Sequence, residues 1–90
     1  MMISLIFTNN KLLTDNKYLL VDLSDVGPGY DQEDLYVYNN TQNERQILWR
    51  LGRGEIVRYI GSDGNYYFIE NHDGEIGWVS KKYIIPISDN

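Results

Sequence analysis

The strongest constraint in this chain lies between Gly61 and Ile85, which reads GSDGNYYFIENHDGEIGWVSKKYII. Two aromatic-rich runs, Tyr66 to Glu70 and Glu75 to Val79, flank Asn71-His72-Asp73-Gly74, and Ser80-Lys81-Lys82 leads on to Tyr83-Ile84-Ile85. An Asn/Asp/Gly cluster set between alternating apolar runs predicts a β-hairpin, because those residues tolerate the backbone angles of a tight turn. The hairpin sets the fold class, and its aromatic residues are the first candidates for a binding face.

The preceding sequence continues the pattern. Gln46 to Leu51 and Glu55 to Ile60 read as strands joined by Gly52-Arg53-Gly54, and Gly61 to Asn65 reads as the next turn. Leu35 to Tyr38 alternates as a further strand, followed by the polar loop Asn39 to Arg45. Short strands with glycine-rich turns about every ten residues predict an all-β fold, a small barrel or sandwich. Ile3 to Phe7 and Tyr18 to Leu23 are candidate extra strands, and Gly27-Pro28-Gly29 is the clearest break in the chain. The expected division is an acidic, partly β N-terminal extension over residues 1–34 and a barrel over 35–90.

Composition narrows the function. The net charge is -5, and all of it is N-terminal: residues 1–44 hold two lysines against seven carboxylates, whereas residues 45–90 balance at six against six. Nucleic-acid binding needs clustered Lys and Arg to displace counterions, so no nucleic-acid partner is expected. With no cysteine and one histidine, His72, disulfides and multi-histidine metal sites are excluded. No nucleophile and base or carboxylate pair can be assigned, so neither an enzyme nor a cofactor or metal is expected. Met1 to Asn10 has too short an apolar run and no basic lead for a secretory signal or a membrane span, which predicts a cytoplasmic protein. The absence of alanine and the wealth of Asn, Ile and Tyr suit an AT-rich genome, that of a low-GC bacterium or its phage.

At Leu35-Tyr36-Val37-Tyr38, Leu51-Gly52-Arg53-Gly54, Glu55-Ile56-Val57, Gly64-Asn65-Tyr66-Tyr67, Gly74-Glu75-Ile76-Gly77-Trp78-Val79 and Tyr83-Ile84, the order and spacing resemble the Src homology 3 family, its bacterial branch most closely. The resemblance covers residues 35–87 and implies an SH3-like β-barrel of about five strands that binds without catalysis. It places Tyr36 and Tyr38 where the family has the two tyrosines of its Ala-Leu-Tyr-Asp-Tyr motif. Tyr66 stands at the position of the ligand-contacting tryptophan, Trp78 at the aromatic after the second glycine, and Tyr83 at the last groove tyrosine. By the same analogy Leu51, Val57, Tyr59, Ile69, Val79 and Ile84 are core. The family's groove proline is replaced by Ser80, the motif aspartate by Val37, and the asparagine before the last tyrosine by Lys82. These departures turn the expectation from proline-rich peptides toward another partner.

The expected partner-binding residues are therefore Tyr36, Tyr38, Tyr66, Trp78 and Tyr83, joined by Tyr30, Asp31, Glu33 and Asp34 of the acidic segment as a surface for a basic partner. Against this stands ordinary cross-strand aromatic packing, worth roughly 0.2 to 1 kcal/mol per pair. Arg45, Arg50, Arg53 and Arg58 read as a solvated face. The first functional expectation is a non-enzymatic module for a protein partner, such as a phage or mobile-element inhibitor or adaptor. Cell-wall peptidoglycan binding is the alternative, and oligomerisation or particle assembly is the second alternative, with homo-oligomers forming through an open sheet edge.

Overall fold

The computed structural model describes residues 17–87, which form one antiparallel sheet of seven strands and a single turn of 3-10 helix. The strands are β1 (Tyr18–Val21), β2 (Tyr36–Tyr38), β3 (Ile47–Arg50), β4 (Ile56–Asp63), β5 (Tyr66–Glu70), β6 (Ile76–Ser80) and β7 (Ile84–Ile87). Their spatial order is β3-β2-β6-β5-β4-β1-β7, with β3 and β7 at the two edges. The all-β class holds. The candidate strand over residues 3–7 lies outside the described residues.

Alternation explains the faces. In β6 the buried residues are Gly77 and Val79, in β5 the most buried is Ile69, and in β1 they are Leu19 and Val21, so every second side chain enters the core. One cluster holds Val37 from β2 together with Leu19 and Val21 from β1, although those strands stand near opposite ends of the sheet. The sheet must therefore curl around a common interior, as a small barrel does. Leu51, Val57, Ile69, Val79 and Ile84 lie in this core as the resemblance implied, and Tyr59 packs against it. Each fully buried aliphatic side chain contributes roughly 1.5 to 3 kcal/mol relative to exposure.

The β5–β6 hairpin forms where the sequence places it. The Asn71 side chain holds its turn, accepting from the N–H groups of Asp73 and Glu75 at 2.9 Å each and donating to Glu75 Oε1 at 2.9 Å. Gly74 supplies the required positive φ of 86°. Gly77 serves a different purpose. A Cβ there would run into Val37 Cγ1 and stand 3.0 Å from the Tyr38 carbonyl oxygen. Its absence lets β2 approach β6 and brings Tyr38 opposite Trp78.

Three boundaries differ from the sequence reading. Gly61 to Asp63 continue β4 beyond a bulge near Ile60, and the turn is confined to Gly64-Asn65. Residues Gln32–Leu35 form a 3-10 turn in front of β2, because the Asp31 carboxylate accepts the Glu33 N–H at 2.9 Å and caps it. Finally β1, which precedes Gly27-Pro28-Gly29, pairs with both β4 and β7, and Leu19, Val21 and Leu23 enter the core. Within the described part of the N-terminal extension, β1 is thus woven into the sheet.

Candidate functional site

The face opposite the core carries an aromatic patch across three neighbouring strands. Tyr38 of β2 stands opposite Trp78 of β6, which stands opposite Phe68 of β5. Because alternate residues share a face, Tyr36, Ser80 and Tyr66 extend the patch from the same strands. The Tyr36 and Tyr38 rings meet edge to face with centroids 6.3 Å apart, and Phe68 and Trp78 lie 4.6 Å apart at 32°. Tyr36, Tyr66, Phe68 and Trp78 are all half-buried, so their rings stay accessible.

Arg45 closes one side of this patch. It sits near the end of the polar loop after β2, whose mouth is tied by Asn39. The Asn39 N–H donates to the Gln46 carbonyl at 3.1 Å, and its side-chain oxygen accepts the Gln46 N–H at 3.0 Å. The clamp returns the chain over β2, and the Arg45 guanidinium carbon lies 3.9 Å from the Tyr38 ring centre and 5.5 Å from that of Tyr66. Arg45 Nη1 also donates to the Tyr66 hydroxyl at 2.7 Å. Tyr38 is consequently only 8% exposed although it does not belong to the core cluster. Burial alone would pull the Arg45 guanidinium down, but the hydrogen bond and attraction to the two phenols outweigh it and hold its pKa above the usual arginine value. A cation over an aromatic ring contributes roughly 0.5 to 2 kcal/mol, more as it is desolvated.

Four of the expected site residues, Tyr36, Tyr38, Tyr66 and Trp78, are therefore assembled together. Tyr83 is placed elsewhere. It is 9% exposed within the core, meets Tyr30 edge-on at 5.8 Å, and accepts the Asp31 N–H on its hydroxyl at 3.3 Å. Asp34 stands 3.5 Å from the Lys82 ammonium, whose pKa is held above the ordinary lysine value by Tyr83 first and Asp34 next. Asp31 caps the 3-10 turn, and Glu33 is exposed beside it. The acidic segment and the two tyrosines thus form a structural knot around β7's entry.

Two members of the patch escape the sequence reading. Phe68 was legible in principle, since alternation puts it on the face of Tyr66. Arg45 was not, because its role comes from a loop closure that no periodicity encodes. The four arginines do not form one solvated face: Arg58 pairs with Glu70, Arg50 donates to Gln32 at 2.8 Å, and Arg53 reaches the Leu23 carbonyl at 3.3 Å. Among the described residues no group of three or more carboxylate or imidazole side chains converges as a metal site would need, and no helix is long and apolar enough to cross a membrane.

A family model described as a bacterial SH3 domain matches residues 33–85. Neither the curated proteins nor the solved structures yielded a match.

Proposed function

The chain belongs to the bacterial SH3 domain family, and from that premise we propose that it is a non-enzymatic binding module whose outer aromatic face receives a protein partner. The observation that carries this reading is the continuous row Tyr38, Trp78 and Phe68 across β2, β6 and β5, in which Arg45 covers Tyr38 while Trp78 and Phe68, extended by Tyr36 and Tyr66, stay partly accessible on the side away from the core. Exposed aromatics on a rigid sheet lose little conformational freedom on binding, which is why Trp and Tyr dominate binding hot spots. With Ser80 in place of the groove proline, the partner differs from a proline-rich peptide. An intracellular role as an inhibitor or adaptor in a bacterium or phage belongs to this proposal. It is supported by the composition, rich in Asn, Ile and Tyr and without alanine, and by the N-terminal excess of carboxylates.

The test is an affinity capture with purified wild-type protein alongside the Tyr66→Ala/Trp78→Ala double variant. A specific protein retained by the wild type and lost from a folded double variant supports the reading; equal retention by both overturns it. A second reading is recognition of cell-wall glycan, favoured by the half-buried but accessible Phe68–Trp78 pair on which a sugar ring could stack. Co-sedimentation with purified peptidoglycan that the same two substitutions abolish would favour this second reading over the first.

A further inference from the structure

The opposite face of the sheet carries a second aromatic feature that the resemblance does not assign. A pocket of about 200 Å³ opens between β1, β4, β5 and β7, lined by Lys17, Leu19, Tyr59, Tyr67 and Pro86. Tyr59 and Tyr67 meet edge to face with centroids 5.8 Å apart. Tyr59 pairs directly with Ile69, which puts Tyr67, two residues before Ile69 on the same face, diagonally beside it. Two cations attend the pair. The Lys17 ammonium lies 5.8 Å from the Tyr59 ring centre and the Lys81 ammonium 5.1 Å from that of Tyr67. Neither ammonium has a carboxylate partner among the described residues, whereas Lys82 has Asp34.

We propose that this pocket is a second binding site, for a single apolar or aromatic group that carries a carboxylate. Three features fix the ligand class. Leu19, Pro86 and the two rings give an apolar lining, which selects an apolar body. The volume lies below the roughly 300 to 1,000 Å³ of pockets for drug-sized ligands, which limits that body to about one side chain. Lys17, which lines the pocket, supplies the charge complementarity for one carboxylate, and Lys81 adds positive charge beside the Tyr67 ring. The chain as a whole, at -5, repels anions, so the preference for an acid rests on these two lysines. A plain structural role would have the lysine stems merely covering the rings, and such a role predicts no preference between an acid and its amide.

Amide shifts in a ¹⁵N–¹H NMR titration decide between them. Phenylacetate should perturb Leu19, Tyr59 and Tyr67 saturably and bind about five-fold more tightly than phenylacetamide, as a modest surface ion pair with Lys17 reinforced by the nearby charge of Lys81 allows. In the Lys17→Gln/Lys81→Gln variant that preference should vanish while the spectrum stays dispersed. N-acetyl-glycyl-phenylalanine as free acid serves as the third probe: binding tighter than phenylacetate identifies a peptide C-terminus as the source, and weaker binding identifies a small free acid. The proposal fails if no localised shifts occur at concentrations on the order of 10 mM, if acid and amide bind equally, or if the lysine variant keeps the preference.

Discussion

Two tyrosine pairs, one on each face of the same sheet, each stand beside cationic side chains, and they differ in how firmly those cations are held. On the outer face Arg45 stacks 3.9 Å from the Tyr38 ring centre and donates to the Tyr66 hydroxyl. On the inner face Lys17 and Lys81 hover at 5.8 and 5.1 Å from Tyr59 and Tyr67. The chemistry of the two cations accounts for the contrast. A guanidinium is planar, weakly hydrated and able to stack and donate at once, whereas an ammonium is a strongly hydrated point charge on a flexible stem. Arg45 therefore acts as part of the outer wall and shapes a surface suited to a large partner. The lysines have no carboxylate partner among the described residues, which suits the small anion proposed for that pocket.

This contrast can be broken or sharpened by substitution, beginning with what the two faces share. Ile69 is fully buried in the strand that carries both Tyr66 and Tyr67. Ile69→Ala should cost about 3 kcal/mol in urea unfolding and loosen both clusters together. Gly77→Ala should separate them: the new Cβ collides with Val37 and crowds the Tyr38 carbonyl, costing about 2 kcal/mol. Amide shifts of Gly77→Ala should change around Tyr38 and Trp78 while those of Tyr59 stay in place. If Tyr59 moves as far as Tyr38, the faces are mechanically coupled and the comparison fails.

Smaller effects follow at the cations themselves. Arg45→Ala should lower stability by about 1 kcal/mol and expose the Tyr38 ring, read as faster quenching of tyrosine fluorescence by acrylamide. Arg45→Lys should recover less than half of that loss, since an ammonium cannot stack on Tyr38 and bond Tyr66 together. Full recovery by lysine would mean that only charge matters there. The Lys17→Gln/Lys81→Gln pair should stay within about 0.5 kcal/mol of wild type in thermal unfolding, because loosely held lysines contribute little without a ligand.

How much of this was legible in the residues depends on how local the cause is. The β5–β6 hairpin is encoded within a dozen residues, where Asn71 and Gly74 satisfy the turn and alternation sorts Ile69 and Val79 inward from Phe68 and Trp78 outward. Alternation put Tyr36 with Tyr38 on one face of their strand and Tyr66 with Phe68 on one face of theirs, while the grouping of these tyrosines with Trp78 came from the family resemblance. The resemblance grouped Tyr83 with them, and here packing decides its position. Tyr83 follows a turn, so no period governs its direction, and contact with Tyr30 and Asp31, the latter 52 residues away in sequence, draws it into the core. The acidic segment likewise read as a free surface, but Asp31 is committed to a cap and Asp34 lies beside Lys82.

By itself the sequence determined the all-β class, most of the strands, the hairpin and which residues face together along each strand, because these follow from the two-residue period and from turn chemistry within short spans. Tertiary structure alone decided that β1 lies between β4 and β7, that Arg45 covers Tyr38 and reaches Tyr66 21 residues away, and that Tyr59 and Tyr67 meet above a pocket. Each of these depends on loop closure and on a sheet that curls around a shared interior, and neither leaves a periodic mark on the chain.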